Sequence, residues 1–240
     1  MAKYLTLVGL MVLLAAGASQ ATPVLVTSPG ALGANDSVNW SQLGSGGSTI
    51  NPSFAATSTG GRAIAGSMAS DGCVAVVMGS SCDWTPAGVG FNSGDSLIWA
   101  LNSNGFGSGP LALSFAHVFG AGLWLQADAL GQFTAQVEVF NGGTLLATFS
   151  ETSDAAGDGI FIGARDTLSD ITQVVFSLTS CGSGCDVGDF AVNSLLLRTT
   201  AATVPEPTSL SLLLLGAGGL ALFRRSRRAC RTGVTQEKTV

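Results

Sequence analysis

The stretch "QFTAQVEVFNGGTLLATFS", Gln132–Ser150, decides the fold class. Phe133, Ala135, Val137 and Val139 alternate with Thr134, Gln136 and Glu138. A period of two places the apolar set on one face of a half-buried strand. Asn141-Gly142-Gly143 follows, and these residues tolerate the positive φ that a tight reversal needs. Leu145, Ala147 and Phe149 then alternate again, so the segment predicts an antiparallel hairpin with both apolar faces turned to one core.

Outward from the hairpin the same signals recur. Ser96–Leu101, Leu111–Phe119 and Leu123–Asp128 precede it as candidate strands, and Gly159–Ala164, Ile171–Leu178 and Phe190–Leu197 follow. Turns rich in Gly, Ser, Asn and Asp separate them, and no segment of the body carries a capped stripe of helical period. Many short strands without intervening helices predict an all-β sandwich or jelly roll of antiparallel strands. Thr22 to about Ser70, rich in Gly, Ser, Thr and Asn, reads as irregular edge strands and loops on that sandwich.

The chain has 240 residues, 46% hydrophobic and only 10% charged, and its 33 glycines have no triplet period, which excludes collagen. Residues 1–21 have the layout of a secretory signal peptide: Lys3, an apolar run from Leu5 to Ala16, and small residues at Ser19 and Ala21 before the expected cleavage. Residues 22–203 are expected to form one exported domain. Within it Arg62, Arg165 and Arg198 face thirteen Asp and Glu residues, a net charge of −10, although the whole chain carries only −5. That field repels phosphate backbones and argues against nucleic-acid binding, while it suits cations and neutral polymers.

Cys73 and Cys82 lie close together, as do Cys181 and Cys185. Four cysteines in an exported domain suggest two disulfides, with three pairings open; the two local pairs, each closing a short Gly- and Ser-containing loop, are favoured. The rival is a zinc site using the Cys181-x3-Cys185 spacing, which a single histidine and an oxidising compartment disfavour.

Catalytic signatures are absent from the body. His117 falls in phase with Leu113, Phe115 and Phe119 and reads as a hydrogen-bonded histidine in or beside the core. No G-x-S-x-G elbow accompanies it. Carboxylates gather in turns: Asp154 and Asp158, Asp166 and Asp170, Asp186 and Asp189. Hard cations need several oxygen ligands, so Asp154, Asp158, Asp186 and Asp189 are candidate calcium ligands, against the plainer reading of solvated turn residues. Calcium is the only cofactor suggested. Trp99 and Trp124 lie in apolar strands and read as core, whereas Trp84, in the turn-like "CDWTPAG", is the candidate surface aromatic for stacking on a sugar ring.

The C-terminal stretch "VPEPTSLSLLLLGAGGLALFRRSRR", residues 204–228, is of another kind. Thr208–Phe223 has sixteen residues, about 24 Å as a helix at about 1.5 Å per residue, against a hydrocarbon thickness of about 30 Å. A buried core helix would not explain Arg224, Arg225, Arg227 and Arg228, which follow at once and would hold that end in the cytoplasm. Pro205-Glu206-Pro207, the apolar run and the arginine cluster, in this order and spacing, resemble the PEP-CTERM sorting domain of Gram-negative bacteria. The departure is the extension 229–240, longer than the few residues usual after the arginines. The resemblance covers about the last tenth of the chain. It implies export by the general secretion machinery, transient anchoring in the inner membrane, and processing near Pro205–Pro207 by an exosortase, a membrane-embedded cysteine transpeptidase.

It further implies a host that makes exopolysaccharide and biofilm, and a chain that is substrate rather than enzyme. Ile171–Phe176 and Asp189–Asn193 also loosely resemble strands of β-sandwich ectodomains in that family. The expected function is a non-enzymatic surface or extracellular-matrix protein. The alternatives are a lectin-like carbohydrate-binding module and a secreted glycan hydrolase, and a permanently anchored membrane protein stands behind these.

Overall fold

A computed structural model describes residues 22–79, 82–85 and 89–201. The signal peptide 1–21, the sorting segment 204–228 with its span 208–223, and the extension 229–240 lie outside the described residues. Among the described residues no helix is long and apolar enough to cross a membrane.

The strands, in chain order, begin with β1 (Val24–Val26), β2 (Asp36–Val38), β3 (Thr49–Ile50), β4 (Ser53–Thr57) and β5 (Ala63–Ser67). Next come β6 (Gly72–Val77), β7 (Asp83–Trp84), β8 (Ser96–Trp99), β9 (Leu111–Val118), β10 (Gly120–Ala127) and β11 (Thr134–Asn141). The last are β12 (Thr144–Thr152), β13 (Ile160–Arg165), β14 (Ile171–Ser180), β15 (Phe190–Val192) and β16 (Leu195–Arg198). Among the described residues, helix is confined to one turn, α1 (Pro29–Leu32), and a 3-10 turn at Trp40–Leu43. The fold is all-β, as the alternation predicts.

Two sheets form. The smaller runs β12-β11-β14-β9-β5-β4. The larger runs β1-β13-β10-β15-β8-β6-β3, with β16 joining β10 to β2 and β7 lying parallel beside β6. Strands of the N-terminal segment occupy the edges: β1 and β3 of one sheet, β4 of the other. One buried cluster joins the sheets, with Leu113, Val137, Val174 and Phe176 from the smaller and Val74, Ile98, Leu123, Ile162 and Val192 from the larger.

The larger sheet is covered on its second face too. Ala75, Val77, Leu97 and Ala191, the alternate residues of β6, β8 and β15, pack with Trp84 and Phe91 in a separate cluster. Val26, Leu32 and Phe161 form a third beneath α1. Burial on both faces explains why β10 ("GAGLWLQA") reads as a continuous apolar run and not as an alternation. A glycine in the partner strand β13 allows close strand contact: a Cβ on Gly163 would lie 2.5 Å from the Ala121 carbonyl oxygen and 2.6 Å from Gly122 Cα.

Single-residue slips account for the departures from the expected pattern. In the hairpin, Phe133, Ala135, Val137 and Val139 are buried as predicted, and Gly142 takes φ 58° in the two-residue turn. A bulge between Val139 and Phe140 shifts the partner register from Ala147 to Leu145. Leu146 therefore packs on the core, and Leu145, expected inside, is 50% exposed. A second irregularity, between the pairs Ile171–Val118 and Gln173–Ser114, turns β9 so that Val118 is buried and His117 exposed. His117, expected in or beside the core, thus lies exposed beside the buried Val118 and not in the core. The expected strand Phe190–Leu197 divides at Asn193, whose Nδ2 donates to the Gly90 carbonyl (2.6 Å) and to Asp95 Oδ2 (2.8 Å).

Candidate functional site

The two favoured disulfides form. Cys73 joins Cys82 and Cys181 joins Cys185, which takes the Cys181-x3-Cys185 pair away from any zinc site. The first bond ties β6 to the chain entering β7 and presents Trp84 to the sheet. There the indole is 1% exposed, 5.2 Å edge-on to Trp99 and 6.2 Å from the Phe91 ring, with Nε1 donating to Gln126 Oε1 (2.9 Å). Trp84 is therefore a core residue, and the surface stacking role expected of it is corrected. Its polar neighbours in "CDWTPAG" suggest a turn, but Asp83–Trp84 pairs with β6 as β7, and the indole packs on the larger sheet. Trp99 and Trp124, expected in the core, are half-buried.

At this end of the sheet a cavity of about 300 Å³ opens between Trp84, Gln126, Asp128, Leu130 and Gly157. Gln126 is buried and fully engaged, its Nε2 donating to the Gly157 carbonyl (3.1 Å). Leu130 stands 79% exposed at the cavity. Asp128 follows β10 and lies beside Asp189, its main-chain N–H donating to the Asp189 carbonyl (3.2 Å). The β10–β15 register (Ala127 opposite Phe190) sets the two acids side by side.

Asp189 Oδ1 accepts from Trp99 Nε1 (2.7 Å). Burial, opposed by that bond and reinforced by the charges of Asp128 and Asp186, pushes the Asp189 carboxyl up to about 6. Loss of hydration likewise raises Asp128. The neighbouring Asp128 side chain raises Asp189 further, while Asp189 opposes the rise at Asp128, so a proton taken up as pH falls through about 6 goes to Asp189. Such a pair titrates as a unit. It can offer a hydroxyl-bearing ligand both a donor and an acceptor.

The other expected ligands serve the backbone. Asp154 Oδ1 accepts from the N–H groups of Gly157 (2.9 Å) and Asp158 (3.0 Å). Asp186 accepts from Gly188 (2.8 Å) and Gly107 (2.9 Å), bonds that favour its ionised form and lower its pKa. Asp154, Asp158, Asp186 and Asp189 do not come together; among the described residues no group of three His, Cys, Asp or Glu side chains is set to hold a metal. Sequence reasoning missed Asp128 and Gln126, and the available signal was a Gln-x-Asp interrupting the apolar run of β10. The three arginines of the body bind main-chain oxygens: Arg62 that of Ala116, Arg165 that of Ala31, Arg198 that of Thr200.

Pro205, Glu206, Pro207 and the arginines 224, 225, 227 and 228 lie outside the described residues, and here comparison with known proteins speaks. No curated protein matches the chain. Residues 203–228 match the PEP-CTERM protein-sorting motif, and the motif begins within three residues of the end of the described β-domain. The chain thus carries a PEP-CTERM protein-sorting motif, the signal of an exported protein, behind an all-β domain closed by two disulfides.

Proposed function

We propose that the chain is an exosortase substrate, anchored transiently in the inner membrane and then retained at the cell surface or in the extracellular matrix, where it associates with exopolysaccharide without enzymatic activity. The motif at residues 203–228 carries this reading. The acidic body supports it, since with its arginines bound to main-chain oxygens it would stay soluble in a hydrated polysaccharide matrix. Replacing Pro205-Glu206-Pro207 with alanines tests it: the mature mass should rise and the protein should stay with the membrane fraction. An unchanged mass and location would refute it.

A lectin-like role is the second reading, favoured by the cavity beside Asp128 and Asp189. Binding there would be by hydrogen bonds to hydroxyls and not by stacking, because Trp84 is enclosed. Glycan binding lost on Asp128→Ala with the fold intact would establish it, and no binding across diverse glycans would exclude it. Hydrolysis is the third reading, and no catalytic sequence signature accompanies the acidic pair.

A further inference from the structure

The loop from β13 to β14, "DTLSD" (residues 166–170), crosses from one sheet to the other beside the β9–β10 corner. Asp166 is 6% exposed. Its Oδ1 accepts from the N–H groups of Thr167 (2.6 Å) and Leu168 (3.2 Å) and from the Thr167 hydroxyl (3.4 Å). Its Oδ2 is enclosed and has no hydrogen-bond partner. The same holds for Oδ1 of Asp170, four residues on. Burial and then the charge of Asp166 push the Asp170 carboxyl up, opposed in part by its own main-chain N–H and then by His117. Two neighbouring carboxylates thus each keep one unsatisfied, water-excluded oxygen, an arrangement that proteins rarely leave without a counter-ion.

We propose that Asp166 Oδ2 and Asp170 Oδ1 hold a hard divalent cation of calcium's class, which pins the crossing between the two sheets. Main-chain carbonyls and water complete the shell, since only two carboxylates contribute. Two charged ligands place the affinity in the weak range of extracellular calcium modules, a Kd of about 0.1–1 mM. Softer metals are disfavoured by the all-oxygen set, and His117 is an exposed neighbour rather than a ligand.

The experiment is thermal unfolding and calorimetric titration of the purified, chelator-treated full chain with calcium chloride alone. The proposal expects one site per chain and a Tm rise of about 3–11 °C at 10 mM calcium. Asp170→Asn should abolish the response while its calcium-free Tm equals or exceeds that of the parent, because one of two crowded charges is gone. Asp166→Asn is less suitable, since Asp166 Oδ1 also orders the loop. Asp154→Asn, in a different loop, should leave the response intact. No response in the parent chain, as expected if a proton bridges the two carboxyls instead, overturns the proposal, as does a response that survives Asp170→Asn.

Discussion

Asp189→Asn is expected to make this protein more stable at neutral pH. The Asp189 carboxyl rises from an ordinary value of 3.8 to about 6 in the folded chain, chiefly because β15 and Trp99 remove its water. Between pH 4 and 6 the unfolded chain has lost this proton while the folded chain keeps it. Stability contributed by the group is therefore complete below pH 4 and falls as pH rises to 6. The rise from 3.8 to about 6 corresponds to about 3 kcal/mol. Asp189 is only half-buried, so solvent screening reduces this to about 1–2 kcal/mol. Asparagine keeps an acceptor for Trp99 Nε1 and a donor for Asp128, but carries no charge. Urea unfolding at pH 7.5 should give the variant about 1–2 kcal/mol more stability, a Tm gain of about 2–6 °C. At pH 3.5 the two proteins should be equal. A variant less stable at pH 7.5, or one whose gain persists at pH 3.5, would refute the reasoning.

Trp84→Ala should cost about 3–5 kcal/mol, because it empties a buried ring site and leaves Gln126 Oε1 unpaired; chemical denaturation measures this, and a loss under 1 kcal/mol would show the indole to be a surface group. Gly163→Ala should destabilise by at least about 1–3 kcal/mol, since its Cβ meets main-chain atoms of Ala121 and Gly122 that cannot rotate away; a neutral effect on Tm would mean that β10 and β13 lie farther apart.

The sequence made the hairpin legible because one of its strands, Gln132–Phe140, has a solvated face and a buried face, and alternation records that asymmetry directly. The local disulfides were legible for a similar reason: each closes a loop too short to need tertiary information. Bulges at Phe140 and near Ile171 were not legible, for one extra residue reverses side-chain direction without changing composition. Leu145 and His117 were misplaced on that account. Trp84 was misread because its cover, the β7 segment folding over the larger sheet, is held by the parallel β6–β7 pairing and by contacts with Phe91 and Trp99. Asp128 and Asp189 are 61 positions apart and meet only through the β10–β15 register, so nothing local announces the pair. Asp166 and Asp170 were visible as a spacing, but their unsatisfied oxygens emerged only once burial was known. The sorting motif was the converse case, fully written in residues 203–228 as order and spacing.

The account rests most directly on where the mature chain ends. Intact-mass spectrometry of the protein recovered from outside its own cells should give a species that begins after Ala21, ends near Pro205–Pro207 and contains four oxidised cysteines. A mass that retains Arg224–Val240 would contradict it and make the C-terminal segment a lasting anchor.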